Sequence, residues 1–134
     1  MTDEGLVVDA SIVIRALAED PGDELLRHRL ATSGRLHAPA HLGAEVLSGV
    51  RGLTLGGRLT QIRAEQAIDD FLDLPIVRHP IEAMATQVWL LRHNFTAYDG
   101  AYVALAGALD LVLLTCDQKI VQAAPAGVEV HNYS

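Results

Sequence analysis

Short apolar runs alternate along this chain with longer stretches in which apolar positions recur every three or four residues. GLVVD at 5–9 is too short for a helix and rich in β-branched residues, which predicts a buried strand. RLHAP at 35–39, IVRH at 76–79 and LVLLTCD at 111–117 predict three more, and VEVH at 128–131 predicts an edge strand. Helices are expected between them. SIVIRALAED starts at Ser11 and stops before Pro21, DELLRHRLATSG is stopped by Gly34, and HLGAEVLSGVRGL is punctuated by Gly56 and Gly57. TQIRAEQAIDDFLDL opens on Thr60 as N-cap and ends before Pro75, and IEAMATQVWLLRHN is opened by Pro80. FTAYDGAYVALAGALD and the short QKIVQAA complete the set. Strands separated by helices imply right-handed crossovers, hence an α/β fold of three layers, α/β/α, with a short, mainly parallel central sheet.

Length bounds this picture to one domain over residues 1–134, large enough to bury about 68% of the unfolded chain's surface. The start MTDEGLVVD has no basic segment followed by an apolar one, and VALAGALDLVLLTC is too short to span a bilayer and contains Asp110. A cytoplasmic protein without a membrane segment is the expectation. The lone Cys116 forms no internal disulfide and reads as a small buried hydrophobe. A net charge of −7 argues against a protein that coats nucleic acid through a basic surface. It is compatible with a metal-dependent nuclease, whose site is itself acidic.

Four acids stand out by where the fold would carry them. In an open parallel sheet, ligands bind outside the carboxyl ends of the strands. Asp9 ends the first strand and Asp117 lies two residues beyond the apolar body LVLLT. Asp99 sits in the first turn of the helix whose far end feeds that strand, so antiparallel packing of the two brings it to the same edge. Glu45 projects from a helix whose apolar stripe is Leu42, Val46, Leu47, Val50 and Leu53, while His41, Ser48, Gly49 and Gly52 share its other side. Taken singly, each acid has a plainer reading. Thr96 and Asp99 are spaced almost as a capping box, Asp9 and Asp117 suit helix N-caps, and Glu45 suits a solvated first turn. Taken together, clustered carboxylates repel and raise one another's pKa unless a cation compensates. All-oxygen donors suit Mg²⁺ or Mn²⁺, whereas the six histidines are scattered and lack a cysteine set for zinc.

In order and spacing, LVVDASIVI, PAHLGAEVLSGVR, TAYDGAYVALA and LVLLTCDQKIVQAA resemble the four acidic motifs of PIN-domain ribonucleases, specifically the small VapC-type toxins. The resemblance covers nearly the whole chain and carries the family's site onto Asp9, Glu45, Asp99 and Asp117, with Ser11 and Thr115 as supporting hydroxyls. It implies an endoribonuclease dependent on Mg²⁺ or Mn²⁺ that cuts structured RNA as the toxin of a type II toxin–antitoxin system. Asp9 and Asp99 would bind metal directly, with Glu45 and Asp117 acting through water or a second ion. Water attack in line at phosphorus would leave a 5′-phosphate and a 3′-hydroxyl. Arg51 and Lys119 could meet RNA phosphates, although a solvated surface charge is the plainer reading of each. The implied partners are RNA, a cognate VapB-type antitoxin with a basic tail, and a second copy in a homodimer, for which Leu53, Leu55 and Leu59 supply either interface or core.

Two other classes compete. A non-catalytic PIN-like interaction module would keep the fold without turnover, which the intact acid set argues against. A receiver-like signalling domain would need an acidic pair after the first strand, where this chain has Asp9-Ala10-Ser11. A serine hydrolase at Ser11 lacks the G-x-S-x-G elbow.

Overall fold

The computed structural model of the chain describes residues 5–19 and 23–134. Residues 1–4, which belong to the acidic start, and residues 20–22, where the first helix is expected to stop, lie outside the described residues. Five strands form one sheet: β1 (Gly5–Val8), β2 (Arg35–Pro39), β3 (Ile76–His79), β4 (Val112–Thr115) and β5 (Val130–Asn132). Their order is β3-β2-β1-β4-β5, and all four pairings are parallel. The two innermost strands, β1 and β4, are apolar up to Thr115, as parallel strands covered on both faces must be, with Val7, Val8, Leu113 and Leu114 fully buried. The edge strands β3 and β5 are only partly covered.

Seven α-helices among the described residues cover the sheet: α1 (Ala10–Leu17), α2 (Glu24–Thr32), α3 (Leu42–Leu55), α4 (Gln61–Asp73), α5 (Ala85–Leu90), α6 (Ala97–Leu109) and α7 (Gln118–Ala123). Helix α1 packs on α3 and α4, while α6 lies along β1, β2 and β4 with α5 beside it. Close approach is built in with glycine. A Cβ on Gly5 would stand 2.7 Å from the Arg35 carbonyl oxygen of the neighbouring strand, so β1 enters the sheet on a residue without one.

Caps follow the sequence signals. The Thr60 hydroxyl accepts from the Arg63 N–H at 3.2 Å, and the Thr96 hydroxyl accepts from the Asp99 N–H at 3.2 Å. Helix α3 runs two residues past the expected Leu53 and closes on Gly57, whose φ of 75° only glycine adopts without strain. There the Arg58 N–H reaches the Leu53 carbonyl and the Gly57 N–H the Thr54 carbonyl, which satisfies the last carbonyls of the helix. Helix α6 ends on Asp110 at φ 54°, a left-handed position that aspartate tolerates better than most residues.

One expected helix is different. The segment 81–94 is a 3₁₀ turn over Ile81–Met84, the short α5, and then a run of tight turns to Asn94. Its apolar positions do not form one stripe: Met84 is buried, whereas Trp89 and Leu90 are 65% and 69% exposed. The N–H groups of Arg92 and Asn94 accordingly reach back three residues rather than four, and that of Leu91 is shared between the carbonyls three and four residues back.

The core couples directly to the carboxyl edge of the sheet. Ile12 is fully buried, and its N–H caps α1 on the Asp9 side chain at 3.1 Å. Ile12→Ala is expected to cost about 2–5 kcal/mol of stability, read as a lower urea midpoint at unchanged slope.

Candidate active site

In the strand order above, β1 has β2 on one side and β4 on the other, so the connections part between β1 and β4. The carboxyl ends of such a pair open the crevice in which ligands bind in α/β sheets. Asp9 follows β1 directly and Asp117 follows β4 by one residue, so both acids stand at that crevice. Asp9 is 5% exposed and accepts three hydrogen bonds. Its Oδ1 takes the Ser11 hydroxyl at 2.5 Å and the Ile12 N–H, and its Oδ2 takes the Thr115 hydroxyl. Each hydroxyl is itself fixed from behind: the Cys116 N–H donates to Ser11 Oγ at 2.9 Å, and the Asp117 N–H donates to Thr115 Oγ1 at 2.9 Å. Two relays thus tie the end of β4 to the acid at the end of β1. Asp117 also caps α7, its Oδ1 accepting from the Lys119 N–H at 2.9 Å.

Asp9 and Asp117 are helix caps, and they are also neighbours. Asp99 is not the cap of its helix, because Thr96 takes that position. Among the described residues its carboxylate accepts no protein hydrogen bond. Glu45 is not simply solvated. Its Oε1 accepts the Tyr102 hydroxyl at 2.6 Å and lies 3.3 Å from His41 Nε2.

The charges of the four acids interact. Burial pushes the Asp9 carboxyl above the usual carboxylate range, with Asp117 adding to the rise against the pull of its hydrogen bonds. Asp99 is also raised, first by burial and then by the negative charges of Asp117 and Glu45, while His41 and Lys119 oppose the rise. Tyr102, 1% exposed, is driven far above the ordinary phenol range by burial and by its bond to Glu45, so it stays protonated and remains a donor.

Two residues of this site were not singled out from the sequence, His41 and Tyr102. His41 stands four residues before Glu45 and packs edge-on against Tyr98 and Tyr102 at ring distances of 5.6 and 5.2 Å. Spacing alone carried that signal for His41, but reading the histidines as scattered discarded it. Tyr102 lies three residues after Asp99 on the same face of α6, where an aromatic residue in an apolar run reads as core. Of the two basic candidates, Lys119 bears on Asp99, whereas Arg51 is exposed on α3 and takes part in none of the interactions of the acids. Cys116 is half-buried rather than buried, its thiol raised by burial first. Of the three leucines weighed for an interface, Leu59 is buried, Leu53 packs against the core, and Leu55 is 70% exposed.

The donor set suits a hard divalent cation. Every acid presents oxygen, two of them carry pKa values raised first by burial and then by neighbouring negative charge, and a carboxylate that accepts three bonds keeps further lone-pair capacity. Among the described residues no three His, Cys, Asp or Glu side chains converge on one point as a metal-holding group. Mg²⁺ does not require that, since it commonly takes one or two carboxylates and completes its shell with water.

With this geometry in view, the comparisons point one way. The sequence pattern of the PIN domain matches residues 6–125. Ribonuclease VapC3 of Mycobacterium tuberculosis is 36% identical over 124 residues, covering 92% of this chain and 90% of that protein. Among solved structures, VapBC2 from Rickettsia felis bound to a DNA fragment from its promoter superposes with a TM-score of 0.70 at 17% identity, covering 97% of this chain and 99% of that one. Mycobacterium tuberculosis VapC20, described as a sarcin–ricin loop cleaving toxin, superposes with a TM-score of 0.61 at 18% identity over 92% of this chain and 98% of its own.

Proposed function

Because this chain belongs to the PIN-domain family, among its VapC members, we propose that it is a divalent-metal-dependent endoribonuclease and the toxin of a type II toxin–antitoxin pair. The observation that supports the reading is geometric: Asp9 and Asp117 follow the neighbouring parallel strands β1 and β4, tied through Ser11 and Thr115, and the charges of Asp117 and Glu45 bear on Asp99. Family membership sets aside the receiver-like alternative. We read the whole chain as one such domain, acting in the cytoplasm. Consistent with this, no helix among the described residues is long and apolar enough to cross a membrane.

In this reading Asp9 and Asp99 would hold the cation, Mg²⁺ or Mn²⁺, and Asp117 and Glu45 would act through water or a second ion. When bound, the ion supplies a water acidified towards neutral pH and charge compensation for the departing oxygen. The chain's own residues do the positioning. Ser11 and Thr115 hold both oxygens of Asp9, and the permanently protonated Tyr102 fixes one oxygen of Glu45 and leaves the other free to orient water. Lys119 at the lip, and Arg51 farther along α3, are the candidate contacts for RNA phosphates. Water oxygen bonds to phosphorus, the bond from phosphorus to the 3′ oxygen breaks, and that oxygen takes up a proton.

VapC20's description as a sarcin–ricin loop cleaving toxin supports structured RNA as the substrate class. The VapBC2 complex supports a VapB-type antitoxin partner. In our reading that partner carries a basic tail, which would complement the −7 charge, and the toxin itself forms a homodimer. The test is end chemistry. Cleavage by the purified protein with Mn²⁺ is expected to leave a 5′-phosphate and a 3′-hydroxyl by mass spectrometry, and a 2′,3′-cyclic phosphate as main product rejects the mechanism. Absence of any cleavage across metals would favour the non-catalytic module.

A further inference from the structure

Beside the acids lies a cavity of about 390 Å³ lined by His41, Ala44, Glu45, Ser48 and Tyr98. Glu45 belongs to both, and Tyr98 is the residue before Asp99, so the cavity opens on the lip of the crevice. Its lining has three properties. The Tyr98 side chain is 64% exposed, and its ring rests edge-to-face against His41, so a large aromatic surface meets solvent from a braced position. No lysine or arginine lines it, and Glu45 brings it a negative charge. Polar atoms remain at its rim. His41 Nε2 faces two acceptors, Tyr98 O at 3.1 Å and Glu45 Oε1 at 3.3 Å, which puts the proton on Nε2 and leaves Nδ1 without a partner among the described residues. The Ser48 hydroxyl is likewise unbonded among them.

We propose that this cavity is a nucleobase subsite, in which a single unpaired base of the RNA, flanking the phosphate held at the acids, stacks on Tyr98. A phosphate would be repelled by Glu45 and would find no lysine or arginine in the lining, whereas a base is uncharged and offers a π-face to an aromatic ring. The small side chains of Ala44 and Ser48 leave room for a planar ring, and Nδ1 of His41 and the hydroxyl of Ser48 are available to its edge. Stacking of this kind requires a base outside a duplex, so the subsite selects loops, bulges and ends. The proposal rests on the ribonuclease reading for its ligand class, and its experiment reads binding, so the two can fail separately.

The test measures affinity of a short fluorescein-labelled single-stranded oligoribonucleotide by anisotropy, on the full chain carrying Asp99→Asn to stop turnover. Adding Tyr98→Ala is expected to weaken binding roughly 5- to 150-fold, the range for one stacked base, and Tyr98→Phe is expected to restore it. A series of oligonucleotides with one abasic position each should show one position whose loss costs the protein that keeps Tyr98 a similar factor and costs the Tyr98→Ala variant nothing further. Tyr98 is mostly exposed, so an unchanged melting temperature is expected to accompany the loss. Equal affinity with and without the ring, a flat abasic series, or no RNA binding at all overturns the proposal. Unchanged RNA affinity with lost affinity for the cognate antitoxin also overturns it and makes the cavity a protein-docking surface. Base-dependent binding by a parent chain that never cleaves RNA leaves the subsite standing and rejects the nuclease reading alone.

Discussion

Asp99→Asn is expected to lower RNA cleavage with Mn²⁺ by at least about a hundredfold while leaving the melting temperature unchanged or higher. A hundredfold is the upper end of what removing an outer-shell partner of a metal site costs, and Asp99 is expected to touch the ion itself. Stability should not suffer, because no donor among the described residues depends on this carboxylate, and its charge is disfavoured by burial and by Asp117 and Glu45. The same exchange at Asp9 is not as clean as its near-identical shape suggests. There the carboxylate accepts from Ser11, Ile12 and Thr115, and an amide nitrogen cannot accept from a hydroxyl whose own oxygen is already bonded by the Asp117 N–H. Leaving one such buried donor unsatisfied costs about 1–3 kcal/mol, so Asp9→Asn is expected to lose activity and stability together. Parent-rate cleavage by purified Asp99→Asn would show that the crevice is not the active site.

Millimolar Mn²⁺ or Mg²⁺ at neutral pH is expected to raise the melting temperature by several degrees, on the order of 2–8 °C, and to do so much less in Asp99→Asn. Proton binding should act in the same direction. Asp9 and Asp99 have folded pKa values above the unfolded value of 3.8, so the folded chain holds their protons more tightly than the unfolded chain does. Stability from these two groups therefore falls as pH rises through their raised values, and is regained as pH drops towards 3.8. In chelator, scanning calorimetry should show the melting temperature rising as pH is lowered from neutral towards 3.8. Asp23 has the opposite sign: its pKa is lowered by the Leu26 N–H and by Arg15, so its contribution is lost only as pH falls below 3.8, outside that window. A cation effect that survives intact in Asp99→Asn, or a melting temperature that falls across the window in chelator, contradicts the charge cluster.

Much of this was legible in residues whose local and global roles agree. Gly5–Val8 and residues 112–114 are apolar on both faces, which only the centre of a covered parallel sheet requires, and the order of elements then carries Asp9 and Asp117 to one edge. Thr60, Thr96 and Gly57 marked their helix ends because capping depends on the nearest few residues. What stayed hidden depends on partners far along the chain. The 81–94 segment has helical spacing but no neighbour to cover Trp89 and Leu90, and the break after Leu90 follows from that missing cover. His41 and Tyr102 belong to the site because α3 and α6 begin side by side, 57 residues apart for Glu45 and Tyr102, and no local pattern encodes that meeting.

The strand order has a consequence in time as well as in space. The ribosome delivers the central strand β1 first, yet its neighbour β4 is separated from it by about a hundred residues of chain, and domains of this kind settle as units once their long-range partners exist. Until β4 emerges, Asp9 lacks the Thr115 hydroxyl and the Cys116 N–H that fixes Ser11, and Asp117 has not been made. A nascent chain long enough to contain three of the four acids still holds no assembled crevice, so β4 and the residues just after it must be made before the four acids can meet.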